Sequence, residues 1–173
     1  MPGSVQELHI LWVSSYGPED PWSLQIRTGI WEALARRGYS AAQGTLDWEA
    51  VNLGFSLTRS ETAAQIDEVM SVLHTSGPDV VILSDDEAVH AVLPLLPPAG
   101  VNGVVCGLNT PLGDPIASQL LERDHFAVVV EPVRPVQTLA MAREFTGSSG
   151  SYLLIGDASL TGDLVTEAAY ETL

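Results

Sequence analysis

The sequence has no lysine. Its seven basic residues are all arginine, set against 22 acids, for a formal net charge of −15. A phosphate loop of the Gly-Lys-Ser/Thr type is therefore impossible. A surface of this sign repels polyanions and argues against nucleic acids and anionic membranes as partners. A high-GC genome or a salt-tolerant organism produces the same balance, so the charge points to no ligand. The single cysteine, Cys106, excludes an internal disulfide and says nothing about compartment. No apolar run approaches the roughly 18–20 residues that span a bilayer. The opening stretch MPGSVQELHI has neither the basic nor the long apolar region of a signal peptide.

Further absences narrow the chemistry. No Gly-x-Gly-x-x-Gly follows the first apolar run, which argues against a dinucleotide site, and Gly-x-Ser-x-Gly is missing. The four histidines, His9, His74, His90 and His125, are scattered, and none has metal-ligand spacing with another. Cys106 lies inside an apolar run and reads as core rather than nucleophile. Asp85-Asp86 follows a strand as in receiver domains, but that site wants a lysine and an acid pair after the first strand, where Ser14-Ser15 stands. No metal, cofactor or catalytic residue is expected.

What is present is an alternation of apolar runs and helical stripes. With 46% hydrophobic and 17% charged residues, 173 residues can build a real core. Leu8–Val13, a weaker stretch at 40–48, 79–84, 101–106, Phe126–Val130 and Tyr152–Ile155 read as strands. Asp20-Pro21 caps a helix carrying Trp22, Ile26, Ile30, Ala33 and Leu34 and ending at Gly38. Thr58 and Glu61 have capping-box spacing before Ile66, Val69, Met70 and Leu73, and Gly77-Pro78 stops that helix. Short helices follow Asp85 and Asp114, another runs from Pro135 to Gly147, and a last begins near Thr161. Gly147–Ser151 is one turn between elements. Near-continuous apolar strands in βα alternation predict an α/β fold with an open, mostly parallel, doubly wound sheet.

Ligands of such sheets bind at the carboxyl ends of the strands. The loops there carry Ser15 and Tyr16, Asp85 and Asp86, Asn109 and Thr110, and Gly156-Asp157. Each polar residue also fits a plain capping role, but four neighbouring loops share the pattern. Tyr16 and Trp22 form an aromatic pair that fits a ligand clamp or core packing equally well.

The run Ile10–Tyr16, the Pro21-Trp22 pair, Gly29-Ile30, Asp79–Asp86, Val104–Asn109, Val130-Glu131, Ile155–Asp157 and Thr161-Gly162, in that order, resembles extracytoplasmic ligand-binding sensor domains of bacterial histidine kinases and diguanylate cyclases. It is similar as well to related solute-binding proteins of ABC transporters. The resemblance implies a type I periplasmic-binding-protein architecture, two α/β lobes closing on a ligand. Residues 1–131 would form the first lobe, and 132–173 the hinge crossing and an incomplete second lobe, with further βα units missing.

It also implies a non-catalytic, extracytoplasmic, small-molecule-binding sensor, its kinase or cyclase module lying outside this chain. An importer's solute-binding component is the alternative, and an enzyme on a flavodoxin-like or Rossmann-like sheet the alternative of another class. The expected ligand-binding residues are Ser15, Tyr16, Trp22, Asp85, Asp86, Asn109, Thr110, Glu131 and Arg134. Arg134 fits a bidentate anchor for a carboxylate ligand, an amino acid or organic acid for example, or else a solvated cation at a helix start. From Val133 onward, about forty residues are too few to bury a core alone. Leu173 is therefore not expected to be a natural domain end. The segment should dock as a sixth strand or be completed by a second copy, as a homodimer or a domain-swapped assembly.

Overall fold

The computed structural model describes residues 7–55, 62–97, 100–111, 113–147 and 150–172. Five strands, β1 (Leu8–Ser14), β2 (Leu46–Asn52), β3 (Val80–Ser84), β4 (Asn102–Leu108) and β5 (Phe126–Val130), form one all-parallel sheet in the order β2-β1-β3-β4-β5. Helices α1 (Pro21–Arg36), α2 (Thr62–Thr75), α3 (Asp86–Val92) and α4 (Pro115–Leu121) connect them, and α5 (Pro135–Thr146) and α6 (Leu160–Thr172) follow. The open α/β class expected from the sequence is the one observed.

The local signals act as chemistry predicts. Asp20 Oδ1 accepts from Ser23 N–H at 2.9 Å with Pro21 in the first turn, and Asp114 Oδ1 accepts from Ile116 N–H at 2.7 Å before Pro115. Gly147 closes α5 in the left-handed conformation, and α3 gives way to a 3-10 turn at Leu93–Leu95, where Pro94 sits. The Thr58–Glu61 capping box lies outside the described residues.

The core has two layers. Leu11, Val13, Val81, Leu83 and Val105 point to one face and pack with Val69, Val89, Val92 and Leu93. Ile10, Trp12 and Ile82 point to the other and pack with Ile30, Leu34 and Trp48. Alternate residues of central strands feed opposite faces, and both faces are apolar, as a parallel sheet covered twice requires.

Two expectations fail. The second strand lies at 46–52, not 40–48, because Ser40–Gly44 folds into a 3-10 turn with Gly44 left-handed. β2 then pairs His9 with Asp47 and Trp12 with Ala50. As an edge strand it carries acids on partly exposed positions, which blurs its apolar alternation.

The sixth strand does not form. Residues 151–157 have no ladder, and Leu153 and Ile155 are each 83% exposed. A strand exists only by pairing, and α5 leads the chain away from β5 to pack against α6 instead.

Candidate functional site

The order β2-β1-β3-β4-β5 reverses direction at β1/β3. From β1 the chain winds outward to β2, then returns and winds the other way through β3, β4 and β5. Loops leaving β1 and β3 diverge there and open a crevice, the usual ligand position on such sheets. A cavity of about 360 Å³ lies at this end, lined by Tyr16, Asp20, Trp22, Asp85, Asn109, Glu131, Thr161 and Val165.

Its aromatic wall comes from the first loop and the start of α1. Tyr16 and Trp22 meet edge to face with ring centroids 5.9 Å apart. The indole packs over Gly107, which is left-handed at φ 78° and lies at an irregularity of the β4 ladder. The backbone needs glycine there both for its φ and for the close approach of the ring.

The polar wall is built on β3. Asp85 caps α3, its Oδ1 accepting from Asp86 N–H at 2.8 Å, and has φ 73° and ψ 168°. Among the described residues it is the one non-glycine with positive φ. That region is nearly glycine-only and costs about 1–3 kcal/mol. Burial pushes the Asp85 carboxyl up to about 6, with the negative charges of Asp86 and Glu87 adding to the rise. Hydrogen bonds from Tyr16 and from the Asp86 amide hold the rise back. Burial likewise raises the Tyr16 phenol above its ordinary value, and the facing Asp85 adds to it.

α6 closes this wall from the far side. Thr161 Oγ1 lies 3.0 Å from Asp85 Oδ1, 3.2 Å from Asp86 Oδ2 and 3.1 Å from Glu87 Oε2. One hydroxyl proton cannot serve three carboxylates, so the cluster favours a carboxyl that keeps its own proton. The Asp85 carboxyl, raised by burial and by its charged neighbours, is the one that takes up a proton most readily.

Not every expected residue reaches the cavity. Tyr16, Trp22, Asp85, Asn109 and Glu131 line it. Ser15 is fully buried beneath, donating to the Ser84 carbonyl at 2.8 Å and accepting from Ala88 N–H at 2.9 Å. Asp86, also fully buried, ties the β4 loop to α3. Its carboxylate accepts from Asn109 N–H at 3.1 Å, Thr110 N–H at 2.8 Å and the Thr110 hydroxyl at 2.6 Å. Thr110 is thereby spent on Asp86, and its oxygen lies 3.0 Å from His90 Nε2.

Arg134 lies elsewhere, in a neighbouring apolar cavity of about 460 Å³ with Tyr152, Leu153 and Leu154. Val165 of α6 borders both cavities. Gly156 and Asp157 lie outside the lining, with Asp157 bonded to Ser159. Three lining residues were not among the expected set. Asp20 reads from sequence only as a helix cap, and Thr161 and Val165 belong to a helix with no sequence signal for packing back on α3.

The fold is an open, doubly wound, all-parallel α/β sheet with a crevice at its switch point. A solved structure with the same fold is the solute-binding protein of an ABC transporter from R. palustris, in complex with 4-hydroxybenzoate. It superposes with a TM-score of 0.54 at 16% identity, covering 96% of this chain and 44% of that one. This chain thus spans less than half the length of that protein, and at such identity the likeness establishes the fold alone. No protein-family model matches the sequence, and no curated protein does.

Proposed function

We propose that this chain is the ligand-binding lobe of a two-lobed, non-catalytic, small-molecule-binding protein, and that the Tyr16–Asp85–Thr161 crevice is its half of the cleft. The observation that carries this reading is Asp85. A non-glycine residue in a nearly glycine-only conformation, with its carboxyl pushed up by burial at a topological switch point, is strain held at a binding position. Among the described residues the lining has carboxylates but no serine, cysteine, histidine or lysine, so no nucleophile–histidine pair is assembled there.

The lining chemistry also selects the ligand. Asp20, Asp85, Asn109 and Glu131 present acceptors beside two aromatic rings, and no cation is among the described residues that line the crevice. A ligand offering ammonium or hydroxyl donors, with an apolar or aromatic body against Tyr16 and Trp22, fits it. A carboxylate anchored by Arg134 does not, since Arg134 lines the other cavity and not the crevice.

Residues 132–173 begin the second lobe in this reading. Phe145, Leu153, Ile155 and Tyr170 are more than three-quarters exposed, as expected of a segment that other chain covers. A groove along α1 and the β4–β5 face, lined by Ile26, Ile30, Val104, Cys106 and Val129, points the same way.

The R. palustris neighbour favours an importer's solute-binding component; the ordered sequence resemblance to kinase and cyclase sensors favours a sensor. Both roles place the chain outside the cytoplasm. The genes and segments flanking it, a permease or a kinase module, separate them.

Ligand-observed NMR of this chain against amines and amino alcohols, polyols and aromatic acids tests the crevice. Saturable binding of a donor-bearing ligand, weakened at least about tenfold by Trp22→Ala and by Glu131→Gln, is expected. Binding of none, or affinities untouched in both variants, overturns the reading.

A further inference from the structure

At the opposite end of the sheet, parallel pairing of β1 with β2 sets His9 beside Asp47, and Glu49 follows two residues on along the same face. His9 Nε2 lies 3.8 Å from Asp47 Oδ2 and 3.6 Å from Glu49 Oε1, and the three ligand atoms all lie within 4.8 Å of one another. We propose that His9, Asp47 and Glu49 form a site for a divalent transition-metal cation of the Zn2+ class, clamping the edge strand β2 to β1.

Three observations carry it. First, His9 Nε2 is buried and has no hydrogen-bond partner. Its Nδ1 lies 3.2 Å from the Ser76 carbonyl, which can only accept, so Nδ1 carries a hydrogen and Nε2 is the atom turned toward the two carboxylates. Nε2 faces Asp47 Oδ2 and Glu49 Oε1, so three atoms that can each ligate a cation converge.

Second, the spacing accommodates a cation between the three groups. Separations of 3.6 and 3.8 Å are too long for hydrogen bonds. Ligand atoms about 2.0–2.1 Å from a tetrahedral Zn2+ stand about 3.4 Å apart; the two separations from His9 come within about half an ångström of that, and the two carboxylate oxygens lie within 4.8 Å of each other.

Third, the ligands are already held from behind. Ser76 accepts from His9 through its carbonyl and donates to Glu49 Oε1 through its hydroxyl at 2.9 Å, while His9 N–H donates to Asp79 Oδ2 at 2.9 Å. A backbone carbonyl orienting the far nitrogen of a ligating histidine is the usual support of such sites. The Asp47 side chain, 55% exposed, leaves the position open to solvent for entry and for a water ligand.

Titration of metal-free protein with Zn2+ by calorimetry, and with Co2+ by visible absorption, tests this. One equivalent of Zn2+ is expected, with Co2+ giving d–d bands and no thiolate charge-transfer band, which excludes Cys106. His9→Gln and Asp47→Asn should each weaken Zn2+ by more than about tenfold. Asp47→Asn lies at a solvent-facing position and should leave the circular dichroism in chelator unchanged, so it carries the test even if His9→Gln unfolds. Absence of Zn2+ binding in the parent chain, or an isotherm that survives in Asp47→Asn, overturns the proposal and leaves the trio an ion pair.

Discussion

Trp22 stands where a side chain at residue 107 would have to go: a Cβ built on Gly107 would lie 2.6 Å from the indole Cζ2. The ring and the glycine therefore define each other, and the aromatic wall of the crevice depends on both. Gly107→Ala is expected to destabilise the chain by about 2–4 kcal/mol, combining the φ of 78° with displacement of the ring. Urea denaturation measures it, and a variant as stable as the parent would refute the packing argument.

Asp86 is expected to matter to folding rather than to binding. It is fully buried and accepts from two backbone amides and a hydroxyl of the β4 loop. Asp86→Ala leaves those donors unpaired and should cost about 2–5 kcal/mol. Asn109→Ala, which also removes a cavity-lining group, should cost less stability and more affinity. Paired denaturation and binding curves for the two variants check that division.

Asp85 gives the protein a pH signature. Its carboxyl stands at about 6 in the folded chain, against roughly 3.9 unfolded. The folded state therefore holds the proton longer, and stability falls as pH rises. This group's favourable contribution is complete below about 3.9 and is lost as pH passes upward through 6. The difference in stability between the parent and Asp85→Asn should shift in favour of the variant between pH 4 and pH 7. Denaturation midpoints of both across that range give the sign, and parallel curves would show that Asp85 ionises normally.

The exposed apolar surface of residues 129–170 should be covered by something. If a second copy covers it, light scattering across a dilution series shows a dimer that dissociates. Phe145→Ser together with Ile155→Ser, at positions each 83% exposed, should then yield a monomer with unchanged circular dichroism. A monomer at every concentration removes the homodimer.

The helices and central strands were legible because each carries its own punctuation. Asp20-Pro21, Asp114-Pro115 and Gly147 are local chemistry, readable without the fold. β1 and β3 are buried on both faces at their centres and read as the apolar runs Ile10–Val13 and Val80–Leu83, and β4 carries the shorter run Val104–Cys106. β2 was misplaced because an edge strand alternates acids with apolar residues, and only its register with β1 identifies it. Tyr152–Ile155 shows the reverse error, since apolar residues at strand spacing make no strand without a partner.

The crevice was half legible for a related reason. Loops after β1, β3 and β4 are predictable from strand ends, but whether a side chain faces solvent or ties loops together is decided across the sheet. Ser15, Asp86 and Thr110 turn inward, and Thr161 arrives from a helix far along the chain. His9, Asp47 and Glu49 escaped for the same cause, because nothing in a linear spacing brings them together.

The pairing of β1 with β2 has one more implication. The two are joined by a crossover through α1, so no tight turn dictates how far one slides along the other. A slide of two residues would keep every side chain on its own face, yet would carry Asp47 about 6–7 Å from His9. It would also separate Leu53 and Phe55 from the carbonyls of Ser14 and Ser15, which their amides now meet at 2.8 and 2.9 Å. Whatever fastens one rim of the sheet therefore sets the alignment of the other. A fastening at His9 would hold the mouth of the crevice in step from about 20 Å away, at the far end of a seven-residue strand.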